Sequence, residues 1–376
     1  MSPSSPLPSH SSHSPQSPPA SPPVFIPGLE LSRLFFTEVL APLLESAVPG
    51  LPYSAALLGW GSDVQGFDTQ RSTDHAWGPR LQIFLSGEDH RAHAASLDAL
   101  FARELPAEFR GYPVRFAFPH GTAERHWVHI HDLHAYFSGH LLADPADGLS
   151  AAEWLMVPTQ VLRELIGGEV FRDDSGLLGS YRRTLTWYPD EVWRYVLACQ
   201  WTRLSDEEAF VGRCGEVGDE LGSAVVAARQ VRDLMRLCLL MCRVYPPYGK
   251  WLGTVFATLP CARTLGPILA DALGAREWKE RERHLSAAYE LVGALHNELG
   301  LTEPVDAHVR DYHNRPFEVL HAERFAQALL ATIPDPAVRG LALVGAIDQY
   351  VDSTAMTDHN HVAVRSGYIA GPGGPA

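Results

Sequence analysis

Residues 57–85 decide the fold of this chain; their sequence is LLGWGSDVQGFDTQRSTDHAWGPRLQIFL. A short apolar run at 55–58 ends in the turn Gly59-Trp60-Gly61-Ser62, and a second apolar run occupies 81–85. Short apolar runs bounded by glycine and polar residues are typical of buried β-strands. The stretch therefore predicts two neighbouring strands joined by a polar segment that carries Asp74.

This polar segment contains the residue types that bind a triphosphate. A glycine such as Gly61 lets the backbone approach phosphates, and Ser62 together with the amides of the turn can donate hydrogen bonds to phosphate oxygens. A carboxylate on the adjoining strand, that of Asp74, can hold the Mg²⁺ that bridges those phosphates. The pattern predicts a phosphate and magnesium site here. The competing interpretation of Asp74 is an ordinary loop or capping aspartate.

Working outward from this stretch, the apolar periodicity changes twice. Residues 29–47 have leucines and phenylalanines at helical spacing, with Pro42 as a kink or break, and 89–105 has the same spacing. Residues 112–118 and 127–133 read as further strands. Beyond about residue 145 the spacing is mostly helical, most clearly over 223–243, 276–299 and 318–333. The prolines Pro246 and Pro247 are expected to stop the first of these three helices.

The predicted class is α+β, with a small mixed sheet followed by an all-helical domain. Residues 1–24, rich in serine and proline, are expected to be a disordered tail. Residues 25–150 would form the α/β domain, residues 151–358 the helical domain, and residues 359–376 a second loose tail. We find no internal repeat.

Composition limits the classes of partner. The 376 residues are 46% hydrophobic and carry a formal charge of −14. An acidic chain is not expected to bind nucleic acid or a membrane surface in general. Residues 1–24 lack the basic start and apolar core of a signal peptide, and no apolar run approaches membrane-spanning length. Five cysteines without a C-x-x-C pair do not make a disulfide framework, so a cytoplasmic location is expected.

The order of Gly61-Ser62 at the end of a strand and Asp74 before the next resembles the nucleotidyltransferase superfamily of DNA polymerase β and the aminoglycoside nucleotidyltransferases. That pattern continues as Asp-x-Asp or Asp-x-Glu, and this chain has Ala76 at the second position. Further motifs are similar to those of a bacterial domain-of-unknown-function family of this fold, over roughly residues 30 to 355: STDHAWGPR (72–80), GDELGS (218–223), YPPYGKW (245–251), HNELGLT (296–302) and AIDQY (346–350).

The resemblance implies Mg²⁺-dependent transfer of a nucleotidyl group from a nucleoside triphosphate, with ATP the first candidate, to the hydroxyl of a small-molecule or protein acceptor. Residues expected to cradle phosphates or neutralise their charge are Gly61, Ser62, Gly66, Arg80 and Lys250. Asp74 would bind the metal and act in catalysis, with a third acid from Asp132 or Asp68 and a general base at Asp219 or Glu220. The loss of an acid at Ala76 should weaken binding of at least one ion.

Two other functions stay open. A degenerate transferase would bind a nucleotide, or a partner, without turnover. A zinc-dependent hydrolase would use the histidine-rich stretch 126–140, because His129 and His131 would face the same side of a strand. In addition, Arg229, Arg232 and Arg236 share one helix face, which would either clamp phosphates or form a solvated stripe with salt bridges. Phosphate loops, dinucleotide fingerprints and nucleophile elbows are absent from the sequence.

Overall fold

The sheet is built around the two strands predicted from residues 57–85. A computed structural model describes residues 23–117 and 122–357. The strands are β1 (Ser54–Leu57), β2 (Arg80–Leu85), β3 (Glu108–Phe109), β4 (Tyr112–Pro113), β5 (Arg115–Phe116), β6 (Arg125–Asp132), β7 (Glu169–Asp173), β8 (Arg310–Tyr312) and β9 (Arg315–Val319). Five of them form one mixed sheet in the order β5-β6-β2-β1-β7.

Helices surround this sheet and form most of the rest of the described chain. Before residue 150 they are α1 (Gly28–Phe35), α2 (Ala41–Ala47), α3 (Gly87–Glu104) and α4 (Leu133–Leu141). After it the longer ones are α5 (Ala151–Met156), α6 (Thr159–Ile166), α7 (Leu177–Thr184), α8 (Asp190–Glu207), α9 (Phe210–Glu216), α10 (Glu220–Met241), α11 (Gly249–Phe256), α12 (Ala262–Gly274), α13 (Trp278–Glu298) and α14 (Glu323–Ala331). Three single turns complete the set, namely α15 (Pro336–Arg339), α16 (Ile347–Tyr350) and α17 (Thr354–Thr357). The predicted α+β class is confirmed.

Both faces of the central strands are buried, which explains their continuous apolar sequence. Successive side chains of a strand point to opposite faces, so Ala55 and Ile83 join one core while Ala56 and Phe84 join the other. The first core packs against α1, α2 and α3, and the second is continuous with the core of the helical part. The sheet is therefore a partition between two hydrophobic cores.

Gln82 holds the end of β1 in place where the glycine-rich turn begins. It is a buried polar residue within an apolar strand, and its Oε1 accepts from the Leu58 amide at 3.0 Å. Its Nε2 donates to the Leu58 carbonyl, also at 3.0 Å. The Gln82 side chain thus satisfies both backbone polar groups of Leu58, the residue directly after β1. These two hydrogen bonds fix the point at which the glycine-rich turn begins.

Several predicted elements differ in detail. The single strand expected at 112–118 is wrong, because residues 112–113 pair with β3 and residues 115–116 pair with β6. A π-helical turn (Phe36–Leu40) precedes Pro42, which lacks an amide hydrogen and clashes with the preceding turn, so the helix is distorted rather than broken. The helix expected at 318–333 begins only at Glu323, since β9 occupies 318 and 319 and residues 320–322 connect the two elements.

The division at residue 150 stays a prediction. β7 lies beyond that boundary, yet it pairs antiparallel with β1 and completes the sheet. The second half is thus mostly helical but supplies one strand to the first. The predicted tails at 1–24 and 359–376 lie almost entirely outside the described residues. No helix in the described part of the chain has the length and apolar character needed to cross a membrane.

Candidate functional site

A cleft of about 430 Å³ opens where the glycine-rich turn faces the helical part. The turn and the segment after it form one wall, and residues of α6 and of the start of α11 form the other. Four residues predicted from the sequence lie around it, namely Gly61, Ser62, Asp74 and Lys250. Although Ser62 and Lys250 are far apart in the sequence, the fold brings them to one cavity.

The turn is held by an ion pair that the sequence analysis did not foresee. Asp63 and Arg80 are 2% and 5% exposed, and their two hydrogen bonds are 3.1 Å (Nε to Oδ2) and 2.7 Å (Nη2 to Oδ1). The Arg80 Nη2 also donates to the Trp60 carbonyl at 2.9 Å, and the guanidinium lies 5.0 Å from the centre of the Trp60 ring. Arg80 was expected to neutralise phosphate charge. Its charge is instead already balanced by Asp63, so this placement does not support that role.

Gly61 is a glycine because of this ion pair. Its φ is +131°, and a Cβ at this position would lie 2.2 Å from Asp63 Oδ1 and 2.3 Å from Arg80 Nη2. No side chain fits there without displacing a buried salt bridge. The glycine lets the backbone of the turn pass over the ion pair and present Ser62 at the cleft.

Asp74 ends a 3₁₀ turn (Gln70–Asp74) and does not lie on the adjoining strand, so that expectation was wrong. Local sequence explains the turn, because Thr69 accepts from the Arg71 amide and Ser72 Oγ accepts from the Thr69 amide. The Asp74 carboxylate is 58% exposed, and its Oδ1 lies 2.7 Å from His75 Nδ1. Its other oxygen, Oδ2, has no partner among the described residues, so this side chain can contribute a ligand atom.

Ala76, at the position of the missing acid, lines the same cleft. Its φ of +51° lies in the left-handed region, which alanine rarely adopts and in which Asp and Asn are enriched. The backbone at position 76 is therefore better suited to the aspartate of the Asp-x-Asp pattern than to the alanine that stands there.

The cations of the cleft are Arg71, which the sequence analysis missed, and Lys250. Both are exposed, and neither forms an ion pair within residues 23–117 and 122–357. Lys250 Nζ lies 4.9 Å from the centre of the Trp251 ring, which in turn packs against Phe67. Aromatic side chains also line the cleft, namely Trp60, Trp77, Tyr248 and Trp251. The cavity thus combines positive charge with flat apolar surfaces.

Gln160 and Glu164, one turn apart on α6, supply polar groups from the opposite wall. Gln160 Nε2 donates to Glu164 Oε1 at 2.7 Å, and the Gln160 Oε1 accepts from the Tyr248 amide at 3.2 Å. This chain of hydrogen bonds fixes the start of α11, which carries Lys250, against α6. No local motif marks Glu164, which is why the sequence did not reveal it.

The other predicted site residues lie outside the cleft and are engaged elsewhere. Asp68 accepts from the Gly28 amide and from Trp77 Nε1, at 2.7 and 3.0 Å. Asp132 caps α4 by accepting from the Ala135 amide at 3.1 Å. Gly66 lies in an exposed turn. These placements do not support a third metal ligand at Asp68 or Asp132, or a phosphate contact at Gly66.

The proposed general bases lie in the helical part and have structural partners. Asp219 caps α10 by accepting from the Gly222 amide at 2.7 Å, and Glu220 forms an ion pair with Arg281 at 3.2 Å. The arginine face of α10 is also occupied, because Arg229 pairs with Glu207 and Arg232 with Asp352, each at 2.7 Å. Arg232 also lies 3.8 Å from Asp233, so the salt-bridge interpretation of that face is the better one.

Within residues 23–117 and 122–357 no three His, Cys, Asp or Glu side chains are grouped so that they could hold a metal ion. His129 and His131 lie on one side of β6, with ring centres 6.1 Å apart. The described residues supply no third ligand with which these two histidines could bind zinc. Burial lowers the pKa of each to about 4, so both are neutral at physiological pH. A zinc hydrolase is not supported by this arrangement.

A family model described as a domain of unknown function (DUF4037) matches residues 154–252. This segment includes the α6 and α11 wall of the cleft but not the glycine-rich turn. Among solved structures, the chain is similar to a nucleotidyltransferase-like protein from Exiguobacterium sibiricum, with 12% identity, a TM-score of 0.32, and coverage of 83% of this chain and 91% of that chain. No curated protein matches.

Proposed function

We propose that this protein binds a nucleoside triphosphate in the cleft and is a nucleotidyltransferase-type protein. The observation that carries the proposal is the meeting of the Gly61-Ser62 turn, Asp74, Arg71 and Lys250 around one cavity with aromatic walls. Two cations without acidic partners in the described chain suit a polyphosphate. The flat faces of Trp60 and Trp251 suit a base, because aromatic rings stack on bases without regard to sequence.

The acids of the cleft fit one magnesium ion and not two. Mg²⁺ is commonly held by one or two carboxylates together with substrate phosphates and water. Asp74 offers one free oxygen, whereas Asp63 is paired with Arg80 and Glu164 accepts from Gln160. Bound there with the triphosphate, the ion would neutralise phosphate charge. Ser62 and the amides of the turn would orient the phosphates, and Arg71 and Lys250 would stabilise the charge that develops on them.

The reaction that this binding would serve is nucleotidyl transfer. An acceptor hydroxyl would attack the α-phosphate in line, the bond to the β-phosphate would break, and pyrophosphate would leave. The acidic chain favours a small-molecule or protein acceptor over nucleic acid. A second candidate is nucleotide binding without transfer. It is favoured by Ala76, which removes the second carboxylate on which two-metal catalysis depends.

A thermal-shift experiment tests the binding step. ATP should raise the melting temperature of the full chain only when Mg²⁺ is present, and Asp74→Asn should remove the shift. Asp147→Asn is a matched control, since Asp147 is exposed and lies outside the cleft. Equal shifts in wild type and in the Asp74 variant would show that Asp74 is not part of the site.

A second assay separates transfer from binding. Labelled triphosphates are screened with small-molecule and protein acceptors, and pyrophosphate release is followed. Acceptor-dependent release supports the transferase. Magnesium-dependent binding without release from any mixture supports the binding protein.

A further inference from the structure

Beside the cleft lies a second pocket of about 260 Å³ whose lining contains no acidic side chain. Its polar residues are Gln65, Arg163, Arg243 and Tyr245. Gln65 also lines the nucleotide cleft, so the two cavities share this residue. In a chain with a net charge of −14, this pocket brings two arginines together without an acid in its lining.

Arg163 is a cation without a counter-ion in the described chain. It is partly buried, and burial lowers the pKa of its guanidinium. Its Nε donates to the side-chain oxygen Oε1 of Gln65, but no Asp or Glu of residues 23–117 and 122–357 forms an ion pair with it. Removing a charge from water is costly unless an opposite charge compensates. Arg163 is therefore placed where an anion would be stabilised.

The surroundings of Arg163 have an excess of hydrogen-bond donors. Gln65 Nε2 is buried and has no acceptor among the described residues. Arg182, whose Nη2 donates to the carbonyl of Ile166 in the pocket wall, has a buried Nη1 that also has no acceptor in the described part of the chain. Buried donors are nearly always satisfied in folded proteins, so two unsatisfied ones, one lining the cavity and one bonded to its wall, indicate a missing acceptor.

Arg243 can join such an acceptor. It pairs with Asp190 at 3.1 Å, but the two side chains are 51% and 66% exposed. Exposed ion pairs contribute little to stability, so exchange of Asp190 for another anion costs little. The Arg243 guanidinium also packs 4.2 Å from the centre of the Trp193 ring, which keeps it near the pocket.

From these contacts we infer that the second pocket binds an anionic group, a carboxylate or a phosphate, of a small-molecule acceptor. Arg163 would hold that group, assisted by Arg243 and the Gln65 amide. Because the pocket shares Gln65 with the cleft, a molecule anchored there extends toward the triphosphate. The anion site stands on its own contacts, whereas its role as the acceptor site rests on the proposed function.

The test measures thermal shift and calorimetric binding on the full chain with inorganic phosphate and with malonate, against chloride at matched ionic strength. At least one anion should stabilise wild type beyond chloride. Arg163→Gln should weaken that binding by about tenfold, which corresponds to about 1.4 kcal/mol. Arg163→Lys, which keeps the charge, should retain most of it, and Arg243→Gln should give a smaller loss. Stabilisation by phosphate alone assigns a phosphate-bearing acceptor, and stabilisation by malonate assigns a carboxylate.

Two further arms locate the anion. The anion effect should persist when the cleft is saturated with MgATP, while Arg163→Gln should leave the MgATP shift unchanged. The inference is overturned when neither anion exceeds chloride, when Arg163→Gln binds like wild type, or when saturating MgATP abolishes the anion effect. If MgATP gives no shift while the anion effect depends on Arg163, the proposed function fails and the anion site stands.

Discussion

The ion pair between Asp63 and Arg80 gives the sharpest prediction, because both side chains are almost fully buried at the turn that shapes the cleft. Asp63→Asn leaves the guanidinium without a counter-charge, and Arg80→Gln leaves the carboxylate without one. The two hydrogen bonds of 2.7 and 3.1 Å are lost or weakened in either variant. Breaking a buried pair by removing one partner costs about 3–5 kcal/mol, so each substitution should lower the free energy of unfolding by that amount.

A double-mutant cycle distinguishes the pair from its parts. Urea unfolding followed by tryptophan fluorescence gives the free energy for wild type, for Asp63→Leu, for Arg80→Met and for these two substitutions combined. The apolar double variant buries no uncompensated charge, so its loss should be smaller than the sum of the single losses by about 2 kcal/mol or more. The Asp63→Asn variant should also lose the MgATP-induced thermal shift, because the pair fixes residues 60–63. Single losses below about 1 kcal/mol, or additive losses, would refute this account of the turn.

Three further predictions concern the same fold. Gly61→Ala should lower the free energy of unfolding in urea by about 1–3 kcal/mol more than Gly66→Ala does. A Cβ at Gly61 would meet Asp63 and Arg80, whereas one at Gly66 would meet no described atom within 4 Å. Equal losses would contradict the close packing inferred at Gly61. Ala76→Asp should leave stability nearly unchanged, because Asp tolerates the left-handed φ, and should raise the Mg²⁺ affinity measured by calorimetry at fixed ATP. Ala76→Asn is the uncharged control. An Asp variant that binds the metal no better than wild type would show that position 76 is not part of the metal site. Burial lowers the pKa of His296 to about 4, and its Nδ1 accepts from Trp201 Nε1 at 3.1 Å, so the unfolded chain takes up a proton at higher pH than the folded one. The free energy of unfolding should therefore fall by up to roughly 3 kcal/mol as pH drops from about 6.5 to 4. His296→Gln should reduce that loss, and His93→Gln, the control, should not. Unchanged pH dependence in the His296 variant would show that His296 is not the group responsible.

Local signals accounted for the elements that carry the cleft. β1, β2, α3 and β6 follow from short apolar runs and helical spacing, because burial on both faces makes the central strands continuously apolar. The same segment indicated Gly61, Ser62 and Asp74, which the structure places around one cavity, although their roles stay predictions. Lys250, expected from the resemblance to neutralise phosphate charge, lines the same cavity.

Long-range pairing accounts for what the sequence analysis missed. Glu164 reaches the cleft only because α6 packs beside the loop before α11, and no spacing in the sequence encodes that contact. The sequence predicts that Arg80 neutralises phosphate charge, because nothing in the sequence identifies Asp63 as its ion-pair partner. The two side chains meet only in the folded turn. Asp74 was assigned to a strand, whereas the hydrogen bonds of Thr69 and Ser72 produce a 3₁₀ turn there.

The pairing of β7 with β1 has a consequence for biosynthesis. β1 lies inside the sheet, and among the described residues its outer edge is covered only by 169–173. While the chain is being made, the first half exposes an apolar strand edge until that later segment has left the ribosome. A fragment of residues 25–150 would keep this edge open permanently, and open edges pair with other chains. Such a fragment is expected to aggregate when expressed alone, whereas one extended to residue 185 retains the covering strand.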